Sequence, residues 1–159
     1  MASGENRASA SEGLDGDGLR IAIVHARWNT SIVDRLLEGA LRGLDAFGAK
    51  VVGPVAVPGC FELPMACRAV ASSGDVDAVV AIGAVVRGET THYEIVSEGC
   101  ASGIQQAQLQ TGIPITFGVL TVESTEQAME RSQGPGSHNV GEEAAVAAIE
   151  MARLVNDWR

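Results

Sequence analysis

The hydrophobic pattern of the chain alternates between short apolar runs and longer segments with helical periodicity. The four apolar runs are Leu19 to Val24, Val51 to Val57, Ala78 to Ile82 and Pro114 to Leu120. Short runs of this kind, each followed by a segment of helical period, are typical of buried parallel strands joined by crossover helices. The pattern therefore predicts an α/β protein with a four-stranded parallel sheet.

Helical spacing of apolar residues predicts five helices between and after these strands. They cover the segments from Thr30 or Ser31 to Gly48, Leu63 to Ala71, Thr91 to Gln110, Ser124 to Arg131, and Glu142 to Asn156. The last helix is apolar on more than one face, and a single sheet surface cannot cover all of it. We expect the remainder to pack on a neighbouring chain.

Right-handed crossovers between these elements give a doubly wound, flavodoxin-like three-layer sandwich, in which ligands bind beyond the carboxyl ends of the strands. A chain of 159 residues suits one domain, which we place at residues 19–159. Residues 1–18 are polar and rich in Gly, Ser and Ala, without a secretory or membrane-spanning run. They are predicted to form a mostly disordered N-terminal arm.

The composition and the net charge limit the classes of molecule that this protein is expected to bind. The net charge of −9 argues against binding to nucleic acid or an anionic membrane. Cys60, Cys67 and Cys100 lie in or beside apolar stretches without C-x-x-C spacing, which favours reduced thiols in a cytoplasmic protein. No pair of His or Cys residues has metal-ligand spacing, so no metal is expected. Apolar residues make up 46% of the chain, which favours self-association.

The six aromatic residues are unevenly placed. Trp28, Phe61 and Tyr93 follow predicted strands, and Phe117 lies within the fourth. Aromatic side chains gathered at one rim of a sheet suggest a stacking surface for a flat ring. Core filling is the alternative interpretation and is favoured for Tyr93, whereas it fits Trp28 poorly, because this residue stands in a polar turn.

The loop after the second predicted strand has the sequence VPGCFELP. Pro58 and Gly59 permit a tight turn, and the backbone amides of Cys60 and Phe61 precede a helix, so they can face a ligand. Glu62 adds an acceptor suited to hydroxyl groups. The same residues also fit an ordinary helix start, and that alternative stays open.

The loop after the third predicted strand, within IGAVVRGETTHYE, combines features of a phosphate site and a base. After Gly88, the residues Glu89, Thr90 and Thr91 present amides and hydroxyls at the positive end of the next helix. His92 stands in the first turn, where the helix dipole favours a neutral ring that can take a proton near pH 7. The alternative for His92 is a capping or partly buried imidazole.

Arg131 ends a predicted short helix just before the glycine-rich loop GPGSHNVG. A guanidinium in this position can reach an oxyanion, although a solvated charge at a helix end is the simpler alternative. The chain has no Walker pattern and no G-x-G-x-x-G after the first strand. Common nucleotide sites are therefore not predicted.

Taken together, these motifs resemble the lumazine synthase family. The resemblance extends from Leu19 to Leu154 and is carried by Trp28-Asn29, VPGCFELP, GAVVRGETTHYE, FGVLT, the ER pair before the glycine loop, and AAIEMARL. It implies a transferase of riboflavin biosynthesis that condenses 5-amino-6-(D-ribitylamino)uracil with 3,4-dihydroxy-2-butanone 4-phosphate. The products are 6,7-dimethyl-8-ribityllumazine, phosphate and water, and no cofactor is required.

The resemblance also assigns roles to individual residues. The group expected to bind the pyrimidine and its ribityl chain consists of Trp28, Cys60, Phe61, Glu62, Ala84, Val85 and Val86. Within this group, Trp28 would stack on the ring and Glu62 would accept hydrogen bonds from ribityl hydroxyls. The residues from Ala84 to Val86 would face the ring edge through their backbone.

A second group is expected to bind the phosphate and to move protons. By resemblance, Glu89 and Thr90 would contact the phosphate and His92 would be the catalytic residue that transfers protons. Phe117 and Arg131 would reach the site from the adjacent subunit, with Arg131 directed towards the phosphate. The family pattern therefore implies a homo-oligomer, and the N-terminal segment would extend the sheet by pairing with a neighbour.

One position departs from the family pattern. Many members have an Asn-Lys-Gly triplet where this chain has Asn139-Val140-Gly141, so a cation near the phosphate is missing. A flavin- or lumazine-binding protein with weak turnover, holding riboflavin, is therefore the alternative function, and a shell-forming structural protein is a third hypothesis. The glycine loop resembles the longer loops of pentameric members, which favours a pentamer over a sixty-subunit shell.

Overall fold

The computed structural model describes residues 10–159, so the first half of the predicted N-terminal arm lies outside the described residues. The strands are β1 (Arg20–Ala26), β2 (Lys50–Val57), β3 (Ala78–Val86) and β4 (Ile115–Val122). The helices are α1 (Thr30–Ala46), α2 (Leu63–Ala71), α3 (His92–Thr111), α4 (Thr125–Glu130) and α5 (Val140–Asp157). Each predicted strand and helix is present, with ends that differ by a few residues.

The four strands form one parallel sheet in the order β2-β1-β3-β4. Helices α1 and α5 pack together on one face, and α2 and α3 on the other. This arrangement confirms the predicted flavodoxin-like α/β sandwich. The strand order reverses between β1 and β3, and such a switch point opens a crevice at the carboxyl ends of the two strands.

Successive side chains of the central strands point to opposite faces of the sheet, and this alternation creates two apolar cores. Ile21 and Ile23 of β1 face α1 and α5, whereas Ala22 and Val24 face α2 and α3. Because β1 and β3 are covered on both faces, they need apolar residues at nearly every position. This requirement explains the continuous hydrophobic runs seen in the sequence.

The prediction that β2 is buried was wrong for the single chain. β2 is an edge strand in which only Val57 is buried. Gly53 has a positive φ of 92° and precedes Pro54, and the pairing register with β1 shifts at this level. Proline has no N–H to donate and is tolerated at a sheet edge. The apolar character of this run therefore follows from strand formation rather than from burial within one chain.

The described part of the predicted disordered arm, residues 10–18, lies against α5. Leu14 packs on the core between the sheet and α5. Arg153 of α5 donates hydrogen bonds to the carbonyl oxygens of Asp15 and Asp17, each at 2.7 Å. The sequence pattern missed this order because the segment is polar and the contacts are made mainly by its backbone.

The apolar faces of α5 are only partly covered by the chain itself. Ala145, Ala148 and Ile149 are fully buried against the sheet and α1. Met151 and Leu154 on another face are 41% and 52% exposed. Packing of this second face on a neighbouring chain stays a prediction. None of the helices within residues 10–159 is long and apolar enough to cross a membrane.

Candidate active site

A cavity of about 370 Å³ opens at the carboxyl ends of β1 and β3, at the switch point of the sheet. It brings together seven of the predicted site residues, namely Trp28, Cys60, Phe61, Glu62, Ala84, Val85 and His92. Gly59, Ile95 and Val96 complete the described lining. A mostly apolar wall with a few polar side chains is typical of a site for a small organic ligand.

Trp28 reaches the cavity from the turn between β1 and α1. The amides of Arg27 and Trp28 donate hydrogen bonds to the carbonyl oxygens of Val57 and Pro58, at 2.8 and 3.0 Å, which ties this turn to the end of β2. The Trp28 side chain is 63% exposed, so it is available to a ligand. Gly59 lies under the indole, and a Cβ atom there would approach Cε3 of Trp28 to 2.4 Å.

Cys60 and Glu62 lie in the 3-10 turn Cys60–Glu62 that precedes α2. Cys60 is 5% exposed, and a Cβ atom on Gly83 of β3 would lie 2.5 Å from its Sγ. Burial raises the pKa of the Cys60 thiol to about 11, against a smaller opposing hydrogen bond from the Ala84 backbone. The thiol is therefore protonated at neutral pH, so Cys60 forms part of the cavity wall and is a poor nucleophile.

Glu62 carries an unsatisfied carboxylate oxygen. Its Oε2 atom is buried and has no hydrogen-bond partner among the described residues, although Glu62 lines the cavity. A buried carboxylate oxygen without a donor is costly, and native proteins seldom leave one unpaired. A ligand that brings hydroxyl or N–H donors into the cavity would supply the missing hydrogen bond.

The loop between β3 and α3 presents an exposed helix N-terminus beside the cavity. Glu89, Thr90 and Thr91 are exposed, and α3 begins at His92. The Thr90 hydroxyl oxygen accepts a hydrogen bond from the His92 amide at 3.3 Å. The His92 side chain lines the cavity. An anion near the start of α3 would be favoured by the helix dipole and would lie close to the imidazole.

Arg87 ties the same loop to the segment after β4. Its Nε donates to the Glu123 carboxylate at 2.6 Å and its Nη1 donates to Glu94, while its guanidinium lies 4.2 Å from the centre of the Tyr93 ring. The hydrogen bond with Glu94 is the main cause that raises the pKa of Arg87, and it lowers the pKa of Glu94. Arg87 is therefore already paired within the chain.

Five predicted site residues do not line this cavity. They are Val86, Glu89, Thr90, Phe117 and Arg131. Val86 directly follows the lining residue Val85, and Glu89 and Thr90 precede the lining residue His92 by three and two positions. Phe117 lies on the edge strand β4 and is 37% exposed. Arg131 follows α4, where its Nη1 donates to the Gln127 carbonyl at 3.0 Å. Neither Phe117 nor Arg131 completes the cavity of its own chain.

Ile95 and Val96 are lining residues that the motif analysis did not assign to the site. Both share an apolar helical spacing with the buried residues Cys100, Ile104 and Ala107 of α3, yet Ile95 is 59% exposed. The sequence did contain a clue that Ile95 belongs to the site. Ile95 follows His92 by three positions, and residues with this spacing are neighbours on a helix surface.

Two further observations bear on the chemistry of the site. Within residues 10–159, no group of three or more His, Cys, Asp or Glu side chains is placed to hold a metal ion. Val140, at the position of the family lysine, is 2% exposed and belongs to the core between the sheet, α1 and α5. This position therefore offers no cation to the surface.

The fold and the cavity define an α/β protein with a cavity, of a kind suited to a small organic ligand, at the switch point of its sheet. The family model described as 6,7-dimethyl-8-ribityllumazine synthase matches residues 18–156. The chain belongs to this family, which confirms the resemblance found in the sequence motifs.

Comparison with solved structures gives more distant likenesses. The chain is similar to the ABC domain in complex with L-Trp from Streptococcus pneumonia, with 20% identity over 89% of this chain and 41% of that one and a TM-score of 0.43. It is also similar to an NAD(P)H:quinone oxidoreductase from Methanothermobacter marburgensis, with 13% identity over 85% and 98% of the two chains and a TM-score of 0.38. This chain thus spans less than half of the first structure's length.

Proposed function

We propose that this protein condenses 5-amino-6-(D-ribitylamino)uracil with 3,4-dihydroxy-2-butanone 4-phosphate to form 6,7-dimethyl-8-ribityllumazine. The observation that carries the proposal is one cavity in a chain of this family that combines an exposed indole, an unpaired buried carboxylate oxygen and an imidazole. These groups match a flat ring, a polyhydroxy chain and a proton-transfer step. The protein is thus proposed to be a transferase of riboflavin biosynthesis that needs no cofactor.

The order of bond changes explains the need for a proton carrier. The amine of the uracil adds to the ketone and loses water to give an imine, and phosphate then leaves by elimination. The remaining carbon chain tautomerises and closes on the second nitrogen with loss of water. His92, at the cavity wall, is proposed to move protons between these steps. Holding the two substrates together supplies much of the rate enhancement.

The proposed substrate contacts are made by residues in the cavity wall and directly beside it. Trp28 is proposed to stack on the pyrimidine, Glu62 to bind ribityl hydroxyls, and Cys60 and Phe61 to shape the pocket. The backbone of Ala84, Val85 and Val86 is proposed to face the ring edge. Hydroxyl binding by Glu62 is supported by its unpaired oxygen, which needs a donor that the described residues do not provide.

The phosphate is proposed to bind at the start of α3 beside Glu89 and Thr90. A protein with a net charge of −9 repels an anionic substrate at long range, so binding of the phosphate depends on local cations and helix dipoles. Arg131 and Phe117 do not line the cavity of their own chain, which suits the proposal that they act in an adjacent subunit. On this basis we propose a homo-oligomer with each complete site shared between two chains, and the length of the glycine-rich loop favours a pentamer.

A direct assay tests the reaction. The purified protein is mixed with both substrates and lumazine formation is followed by absorbance, for the wild type, His92→Ala and Arg131→Ala. We expect a fall of about 100-fold in kcat for His92→Ala, and a rise of about 10-fold or more in KM for the butanone phosphate with Arg131→Ala. Arg159→Ala, in the exposed C-terminal segment, is the matched charge control and should keep wild-type rates.

A riboflavin- or lumazine-binding protein is the second candidate. The burial of Val140 where many family members have lysine favours it, because a phosphate contact is then missing. Absence of turnover above the uncatalysed rate, together with tight riboflavin binding measured by flavin fluorescence, would support this candidate and reject the synthase. Turnover that falls in both variants would support the synthase.

A further inference from the structure

Asn29 is the only residue other than glycine with a positive φ among residues 10–159. Its φ and ψ of 63° and 45° place it in the left-handed region, immediately before α1 and immediately after Trp28. Asparagine tolerates this conformation better than other residues with a Cβ atom, but it still carries a conformational cost. Such a conformation persists when the surrounding structure holds it, and it often marks a functional position.

The side chain of Asn29 does not cap α1, although asparagine is a preferred N-cap residue. Its Nδ2 instead donates a hydrogen bond of 2.9 Å to the carbonyl oxygen of Ala84, 55 residues later in the chain. Ala84 lies on β3 and lines the cavity. The ladder between β1 and β3 ends at the pair His25 and Ile82. The hydrogen bond from the Asn29 side chain to Ala84 therefore connects the two chain segments beyond the end of this ladder.

The turn that carries Trp28 is held on several sides. The backbone amide of Trp28 donates to the Pro58 carbonyl, and the Thr30 hydroxyl donates to the Arg27 carbonyl at 2.7 Å. The indole itself is mostly exposed and has Gly59 under it. With little packing around the ring, its position depends on the direction that the backbone takes between Trp28 and α1.

We propose that Asn29 is a positioning residue that holds the Trp28 indole over the cavity by joining a left-handed turn to the end of β3. The left-handed backbone turns the chain within one residue, so that α1 begins at Thr30, two positions after Trp28. The bond to Ala84 fixes the distance between this turn and the cavity wall formed by β3. Asn29 therefore acts on the flat-ring substrate through Trp28, and this substrate assignment depends on the proposed function.

The test separates the turn conformation from the side-chain bond. Trp158, which is 88% exposed, is changed to Phe so that Trp28 becomes the only tryptophan. In this background, Asn29→Gly permits the left-handed turn but removes the amide donor, Asn29→Asp replaces the donor by an acceptor, and Asn29→Ala removes both features. Far-UV circular dichroism and denaturant midpoints measure whether each variant is folded.

The first readout is the accessibility of Trp28 to acrylamide in the ligand-free protein. We expect stronger quenching and lower fluorescence anisotropy in Asn29→Gly and Asn29→Asp than in the parent. The second readout is riboflavin binding, which we expect to weaken by about 5- to 10-fold when the hydrogen bond is lost. The third is an increase in KM for the uracil substrate with kcat changed much less.

Unchanged Trp28 quenching and unchanged riboflavin affinity in folded Asn29→Gly and Asn29→Asp would overturn the proposal. Should Asn29→Ala fail to fold, these two variants still decide the question. Quenching does not require turnover, so a protein that is inactive with both substrates but shows the quenching change would refute the synthase reaction while retaining the role of Asn29.

Discussion

Trp28 illustrates how single residues define this site. Its ring is exposed, yet its place is set by neighbours that have no catalytic chemistry, namely the glycine beneath it and the asparagine after it. Gly59 has a φ of −142°, which any residue can adopt. It is therefore required for the space it leaves to the indole rather than for its backbone freedom.

Replacement of Gly59 by alanine should displace Trp28 while preserving the fold. The new Cβ would lie 2.4 and 2.6 Å from two carbon atoms of the indole, so the ring must move. We expect riboflavin affinity to fall by about 10-fold, comparable to the loss of an aromatic contact, as measured by flavin fluorescence titration. Gly134→Ala, where a Cβ meets nothing within 4 Å, is the control. Wild-type affinity in Gly59→Ala would contradict this explanation.

The three buried cysteines should be unreactive in the native protein. Burial raises the pKa of Cys60 to about 11 and the pKa values of Cys67 and Cys100 to about 12. At pH 8 we expect iodoacetamide to label the native chain slowly and all three thiols to react in denaturant, as measured by mass spectrometry. Rapid native labelling of Cys60 would contradict the assignment of this residue to the cavity wall.

The same thiols predict a dependence of stability on pH. Burial raises the pKa of each thiol in the folded protein above its ordinary value of 9.0. Their contribution to the free energy of unfolding is therefore fully present below pH 9 and is lost as the pH rises towards 11 and 12. Urea unfolding between pH 8 and pH 10.5, compared with a Cys67→Ala variant, measures this loss, and a loss of equal size in both proteins would count against it.

At the scale of elements, the loop between β3 and α3 depends on a single cation. Arg87 links Glu94 on α3 and Glu123 after β4, and it stacks on Tyr93. The loop that it holds contains the proposed phosphate contacts. The charged side chains of Arg87, Glu94 and Glu123 are 37%, 42% and 60% exposed, so the effect of these ion pairs on global stability is small. Their main consequence is local order at the start of α3.

Arg87→Met should loosen this loop without unfolding the protein. We expect KM for the butanone phosphate to rise about 3- to 10-fold, the effect of one lost charge-assisted hydrogen bond, while the denaturant midpoint changes little. The pKa of Glu94 is lowered in the folded chain. The ion pair between Glu94 and Arg87 is therefore present at pH values above the ordinary pKa of a glutamate, and it is lost as the pH falls through the lowered pKa. Arg159→Met is the matched control, and an equal rise in its KM would argue against a specific role for Arg87.

At the scale of the whole molecule, large apolar side chains remain uncovered on several elements. They include Val55 on β2, Ile95 and Leu109 on α3, and Met151 and Leu154 on α5. Exposed apolar surface of this extent is unusual for a monomer and favours burial in an assembly. It accords with the proposed pentamer.

Shared sites predict complementation between impaired subunits. His92→Ala and Arg131→Ala alter residues that we assign to opposite sides of one subunit interface. Co-expressed in one cell, they should form mixed assemblies that contain some intact sites, so at butanone phosphate concentrations well below the KM of Arg131→Ala we expect turnover greater than the sum of the separate variants. Sedimentation velocity measures whether the mixed assemblies have the mass of the proposed pentamer. Turnover no greater than the sum of the separate variants would show that Arg131 does not act across an interface.

Much of the site could be predicted from short motifs that follow the predicted strands. Parallel strands end at one edge of a sheet, so Trp28, Glu62 and His92, which follow three different strands, were expected to converge, and all three line the cavity. The contribution of Ile95 was missed, because helical periodicity cannot distinguish a core face from a cavity wall. Catalytic and binding roles for these residues stay predictions until the assay is made.

The amino-acid sequence by itself determined the order and type of the elements and the location of the cavity at the strand ends. These features follow from local periodicity, from turn residues and from the geometry of parallel strands. Only the tertiary structure decided that β2 is exposed in the single chain, that residues 10–18 lie on α5, and that Asn29 bonds to Ala84. Each of these depends on where distant segments meet in space, which no local pattern specifies.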